Sequence, residues 1–136
     1  MYTVEVRGEI AAPPSAVWAL LGDFGGVASW NPFVERAEIT GTGVGMTRTI
    51  TAHGGARIVE RLESLDAAER RLRYSVQLET GAQSTVDIRL DAGDGGGTVV
   101  VWQSIREAEL SQEQREVVAA TLRSRIDAVA QAVSPS

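Results

Sequence analysis

Along residues 3–10 the apolar side chains Val4, Val6 and Ile10 fall on alternating positions, the period of a strand with one face buried. Pro13 and Pro14 break that run. A proline in the first turn is pre-set for helix entry, so a short helix is predicted over residues 14–21, with Val17, Leu20 and Leu21 inward. Gly22 and the pair Gly25-Gly26 end it, and Pro32 disfavours helical geometry at Asn31, leaving room between them for about one helical turn at residues 27–30. From residue 34 to 106 six further strands are predicted, separated by turns at Gly41-Thr42-Gly43, His53-Gly54-Gly55, Asp66-Ala67-Ala68, Thr80-Gly81 and the glycines from 93 to 97. Connections this short join antiparallel neighbours, which makes the six a meander.

After residue 110 the period changes. Val118, Leu122, Ile126, Val129 and Val133 recur at steps of three and four, with no Gly or Pro between them. Ser111 with Gln114 three residues later is a capping-box signature, so a helix is predicted over residues 111–133. About 22 residues at 1.5 Å each make a rod roughly 33 Å long, enough to cross a small domain. The expected architecture is α+β in the order β-α-α-β6-α, a curved seven-stranded antiparallel sheet holding one long C-terminal helix, as a single domain over residues 1–136.

Strand parity brings in the first chemistry. In the third strand Met46 and Ile50 mark the inward face, and Arg48 shares their parity; in the fourth, Ile58 and Leu62 point in with Glu60 between them. An isolated charge on an apolar face is expensive, so two opposite charges on adjacent strands are expected to meet. Parity alone supports two readings, a structural ion pair in a dry core and a pair that orients a ligand's polar group in a cavity. The fifth strand turns Leu72, Tyr74, Val76 and Leu78 inward, the sixth Ser84, Val86, Ile88 and Leu90, and the seventh Val100, Trp102 and Ser104. Asp87 is predicted on the outer face.

Composition narrows the classes. A length of 136 residues with 43% apolar and 23% charged positions is that of one ordinary globular domain. No apolar run approaches the roughly 20 residues of a membrane span, and residues 1–5 carry no basic or hydrophobic leader, so a cytoplasmic protein is expected. The absence of cysteine removes disulfides, thiol nucleophiles and thiolate metal sites. A net charge of −5 works against nonspecific nucleic-acid binding. His53 is the sole histidine, in a Gly-rich turn, and no Gly-x-Ser-x-Gly elbow exists for a triad to use. The glycines from 93 to 97 lack the Lys-Ser/Thr and the helix start of a phosphate loop. No metal or cofactor is expected.

Five segments carry a resemblance: Val17-Trp18-Ala19-Leu20-Leu21-Gly22-Asp23-Phe24, Trp30-Asn31-Pro32, Gly45-Met46-Thr47-Arg48-Thr49-Ile50, Glu60-Arg61-Leu62-Glu63-Ser64-Leu65-Asp66 and Arg71-Leu72-Arg73-Tyr74-Ser75. In order and spacing the chain resembles the START-related (SRPBCC) superfamily, which includes the polyketide cyclase/dehydrase and lipid-transport-like proteins, the plant abscisic-acid receptors and the birch-pollen-allergen group. The resemblance implies a helix-grip fold with a large cavity between sheet and helix, and an arginine and glutamate facing it, which matches Arg48 and Glu60. It also implies a gate at His53-Gly54-Gly55 and a latch at Glu79-Thr80-Gly81-Ala82. The Gly-Leu-Pro of the receptors' gate and the His-Arg of their latch are missing, which counts against a hormone-receptor role.

Two functions are carried forward. In the first, the protein binds or carries a small, mostly hydrophobic molecule, lipid-like or polyketide-like, as a monomer or homodimer. Trp30, Phe33, Ile50, Ile58, Tyr74, Val86, Trp102, Leu122 and Ile126 then form the walls, and Arg48 and Glu60 orient a polar end. In the alternative it is an aromatase/cyclase or dehydratase-type enzyme, with Glu60 as acid or base and Tyr74 steadying an enolate.

Overall fold

The computed structural model describes residues 1–134. Seven strands, β1 (Tyr2–Ile10), β2 (Val34–Thr40), β3 (Thr47–Ala52), β4 (Arg57–Asp66), β5 (Arg71–Leu78), β6 (Gln83–Ala92) and β7 (Thr98–Arg106), form one sheet in the order β1-β7-β6-β5-β4-β3-β2. All neighbours are antiparallel. Six strands therefore run as the expected meander, and β1 joins its far end by pairing with β7, from Tyr2 opposite Arg106 to Ile10 opposite Thr98. Helix α1 (Pro14–Leu21) and a 3₁₀ segment (Phe24–Ser29) connect β1 to β2, and α2 (Gln112–Val133) closes the chain.

Inward parity holds along the strands because one face of the sheet is covered. Leu62, Leu72, Ile88 and Val100 are almost fully buried there. Leu122, Ile126 and Val129 of α2 are buried against them, with Val118 and Val133 half-buried at the ends of the same stripe. One glycine sets how near the helix lies: a Cβ on Gly8 of β1 would stand 2.8 Å from Ile126 Cγ2, so the bare backbone there admits the Ile126 side chain.

The capping box forms in full at the start of α2. Ser111 Oγ accepts from Gln114 N at 3.1 Å, and Gln114 Oε1 accepts from Ser111 N at 2.8 Å. Ser111→Ala is expected to lower folding stability by about 1 kcal/mol, read as a lower urea midpoint at unchanged slope; an unchanged midpoint would mean that packing alone holds this end.

Three positions differ from the pattern. Leu78, expected inward, lies exposed in the last turn-facing position of β5, beyond the reach of the core. Val101, on the outer face, is nonetheless buried, between its cross-strand partners Arg7 and Arg89, whose aliphatic stems can cover it. Asp87 also sits on the outer face as expected but is only 4% exposed, because Arg71 and Arg73 fold over it at 3.1 and 3.0 Å.

Candidate functional site

Arg48 on β3 and Glu60 on β4 are direct cross-strand partners on the inner face. Their side chains meet, with Arg48 Nε donating to Glu60 Oε1 at 2.7 Å, and the two residues are 5% and 9% exposed. Arg48 is held by two further kinds of contact. Its Nη1 donates to the Phe24 carbonyl at 2.8 Å, and its guanidinium carbon lies 3.8 Å from the Phe24 ring centroid and 4.9 Å from that of Tyr74. The two rings themselves are tilted at 58° with centroids 5.5 Å apart. The cation thus sits over the negative faces of two aromatics while its fork is spent on a carboxylate and a carbonyl. Burial pushes the Tyr74 phenol well above its ordinary pKa, and the Glu60 charge adds to that, so Tyr74 keeps its proton.

Beside this group lies an internal cavity of about 60 Å³. It is lined by Val27, Trp30, Asn31, Phe33 and Val34, by Arg48, Ile50 and Ala52 of β3, by Ile58 and Glu60 of β4, by Tyr74 and Trp102, and by Arg125 of α2. The large hollow implied by the resemblance is therefore not what the side chains leave. Ligand pockets for drug-sized molecules run to roughly 300–1,000 Å³, and this space admits a few waters or one small polar group. Tyr74 and Trp102, both buried, border what space is left. A larger open cleft of about 430 Å³ lies between residues 9–13 and 93–98, but its two charged members, Glu9 and Asp94, are both exposed.

Most of the expected wall residues border the cavity: Trp30, Phe33, Ile50, Ile58, Tyr74 and Trp102, with Arg48 and Glu60. Val86, Leu122 and Ile126 do not. All three are buried in the core, Val86 between Tyr74 and Ser104 in the sheet and Ile126 against Gly8 of β1, and none of them is among the residues lining the cavity. Phe33 is a rim rather than a wall, 51% exposed. Its place is fixed by Asn31, whose Oδ1 accepts from Phe33 N at 3.0 Å in an Asx turn.

The His53-Gly54-Gly55 turn is exposed and does not border the cavity. It adjoins the rim through His53 N, which donates to the Phe33 carbonyl at 3.2 Å. Gly54 and Gly55 take φ of 100° and 97°, conformations that favour glycine in so tight a turn. The neighbouring hairpin is tied to β4, since Glu79 Oε1 accepts from Arg57 N.

The sequence reading missed Arg125. It follows Leu122 by three residues and precedes Val129 by four, so it occupies the helical spacing of the apolar stripe itself. Its guanidinium carbon lies 4.5 Å from the Phe33 ring centroid, and its Nη1 is buried without a hydrogen-bond partner among the described residues. Burial pulls its pKa below the usual arginine value, while Tyr74 and Glu60 act the other way. Also missed was Phe24, the platform for Arg48. Among the described residues no three His, Cys, Asp or Glu side chains converge on a metal position, and no helix is long and apolar enough to cross a membrane.

The chain is similar to several solved structures. The protein XoxI from Bacillus cereus is 26% identical, with 98% of this chain and 96% of that one covered and a TM-score of 0.80. A protein from Thermobifida fusca is 25% identical over 98% and 93% of the two chains at a TM-score of 0.76. Ara h 8.0201, at 19% identity and a TM-score of 0.78 over 97% of each chain, shares the fold. A search of curated proteins returns no match. The family model described as polyketide cyclase / dehydrase and lipid transport matches residues 1–134, and with the seven-stranded sheet gripping α2 it establishes that this chain belongs to that family.

Proposed function

We propose that the protein is a noncatalytic binder or carrier of a small, mostly apolar molecule, received between the sheet and α2 with its polar end beside Arg48 and Glu60. The observation that carries this reading is the burial of two charged side chains, Arg48 and Glu60, with the half-buried Arg125 beside them, around a cavity otherwise walled by Trp30, Phe33, Tyr74, Trp102, Asn31 and aliphatic residues. A dry core gains nothing from such groups, whereas a site that must both solvate a polar head and hold an apolar body needs them. The family generally binds hydrophobic ligands, which agrees. With only about 60 Å³ between the side chains, entry of a larger body requires them to move aside, and half-exposed Phe33 at the rim has the least packing to lose.

The enzymatic alternative is less well supported by the geometry. Glu60 Oε1 is engaged by Arg48 Nε at 2.7 Å, and moving a proton through Glu60 would strand a buried guanidinium. Trp30 and Trp102 border the cavity, so their fluorescence is expected to change saturably as a fitting probe is added from a panel of fatty acids, sterols and aromatic polyketides. A flat response across the panel, together with no small molecule found by mass spectrometry in the purified protein, would overturn the binding role.

A further inference from the structure

The charges bordering the cavity do not balance. Arg48 and Glu60 neutralise each other at 2.7 Å, and Glu60 is the only acidic residue in the lining among the described residues. Arg125 is left over, and arginine does not shed its charge inside a protein. Tyr74 offers no compensating anion, since burial holds its proton on. Arg125 Nη1 is shut away from solvent and donates to nothing among the described residues, a loss that a folded protein ordinarily avoids. The Phe33 ring beneath its guanidinium limits how the planar fork can turn.

We propose that Arg125 reads a carboxylate, and that the ligand of this cavity is an organic monocarboxylic acid with an apolar tail. The inference rests on the binding role argued above and names the chemical class of its ligand. A carboxylate matches the surplus of one positive charge and accepts from the orphaned N–H, and a guanidinium pairs with it through parallel hydrogen bonds. The space of about 60 Å³ is of head-group size. The tail leaves along Phe33, the exposed member of the rim and the ring against which Arg125 already stacks.

The test compares decanoate with 1-decanol, two probes of equal chain length that differ in the head group, by calorimetry and tryptophan fluorescence on the whole chain. Wild-type protein is expected to bind decanoate about tenfold to a hundredfold more tightly than 1-decanol, the margin of a charge-assisted hydrogen bond. Arg125→Met should erase that margin, and Arg125→Lys should restore part of it. Equal wild-type affinity for the two probes overturns the carboxylate inference while leaving the binding role intact. Binding of neither probe overturns the carboxylate inference, and the fluorescence panel with mass spectrometry then decides the binding role. An equal loss for both probes in Arg125→Met would make Arg125 a packing element and sink the inference. Should that variant fail to fold, the wild-type comparison and Arg125→Lys decide.

Discussion

Glu60→Leu is expected to lower folding stability by about 3–5 kcal/mol, because it leaves Arg48 charged, 5% exposed and without its carboxylate. The Phe24 carbonyl and the Phe24 and Tyr74 rings remain around the guanidinium, but a carbonyl and two quadrupoles do not replace a full negative charge at 2.7 Å. The outer sheet face provides the control. Arg61 and Glu63 make an ion pair at 2.9 Å with both side chains well exposed, and removing it should change stability by about 1 kcal/mol or less. The double variant Arg48→Met/Glu60→Leu is expected to recover most of the loss, since buried pairs can be exchanged for apolar residues of like volume at little net cost. Guanidinium denaturation of the two single variants and the double closes the cycle. A Glu60→Leu midpoint indistinguishable from wild type would show that water reaches Arg48 and that the pair is not buried in any energetic sense.

Trp102→Ala should cost a similar amount, about 3–5 kcal/mol, by removing a 2% exposed indole from the middle of the interior. Its second effect is the more informative. Trp102 borders the existing cavity, so truncation enlarges that space instead of opening an isolated void, and free indole should then occupy it. Indole at about a hundred times its Kd would restore about 2.7 kcal/mol, read as a rise in the denaturation midpoint of the variant and none in wild type. If indole leaves the variant's midpoint unmoved, the core has collapsed into the space, and the small cavity reflects tight packing throughout.

What could be read from the chain beforehand was whatever a single period fixes. Alternation placed Arg48 and Glu60 on the inner face, and adjacency on a hairpin brought them together as partners. The three- and four-residue steps gave α2, and local side-chain chemistry gave its cap at Ser111 and Gln114. Periodicity could not give volume. Whether Tyr74 and Trp102 line a hollow or fill it depends on how rings from β5 and β7 meet across the sheet, which no single strand records. Arg125 escaped for a related reason, because a basic residue inside an apolar stripe reads as an interruption until the space it faces is known. The signal was present in its spacing from Leu122 and Val129. Val86, Leu122 and Ile126 were right as interior positions, but the interior is larger than the part that faces the cavity.

The pairing of β1 with β7 bears on how the molecule is made. As the chain is synthesised, β1 has no sheet neighbour until residues 98–106 have followed it, and α2, whose Ile126 rests on Gly8, comes later still. Contacts of such long sequence separation carry a heavy loop-closure entropy and slow the search for the native state. Strands β2 to β7 can thus pair one by one as they emerge, whereas the β1–β7 ladder and the contact of Gly8 with α2 must bridge about a hundred residues of intervening chain.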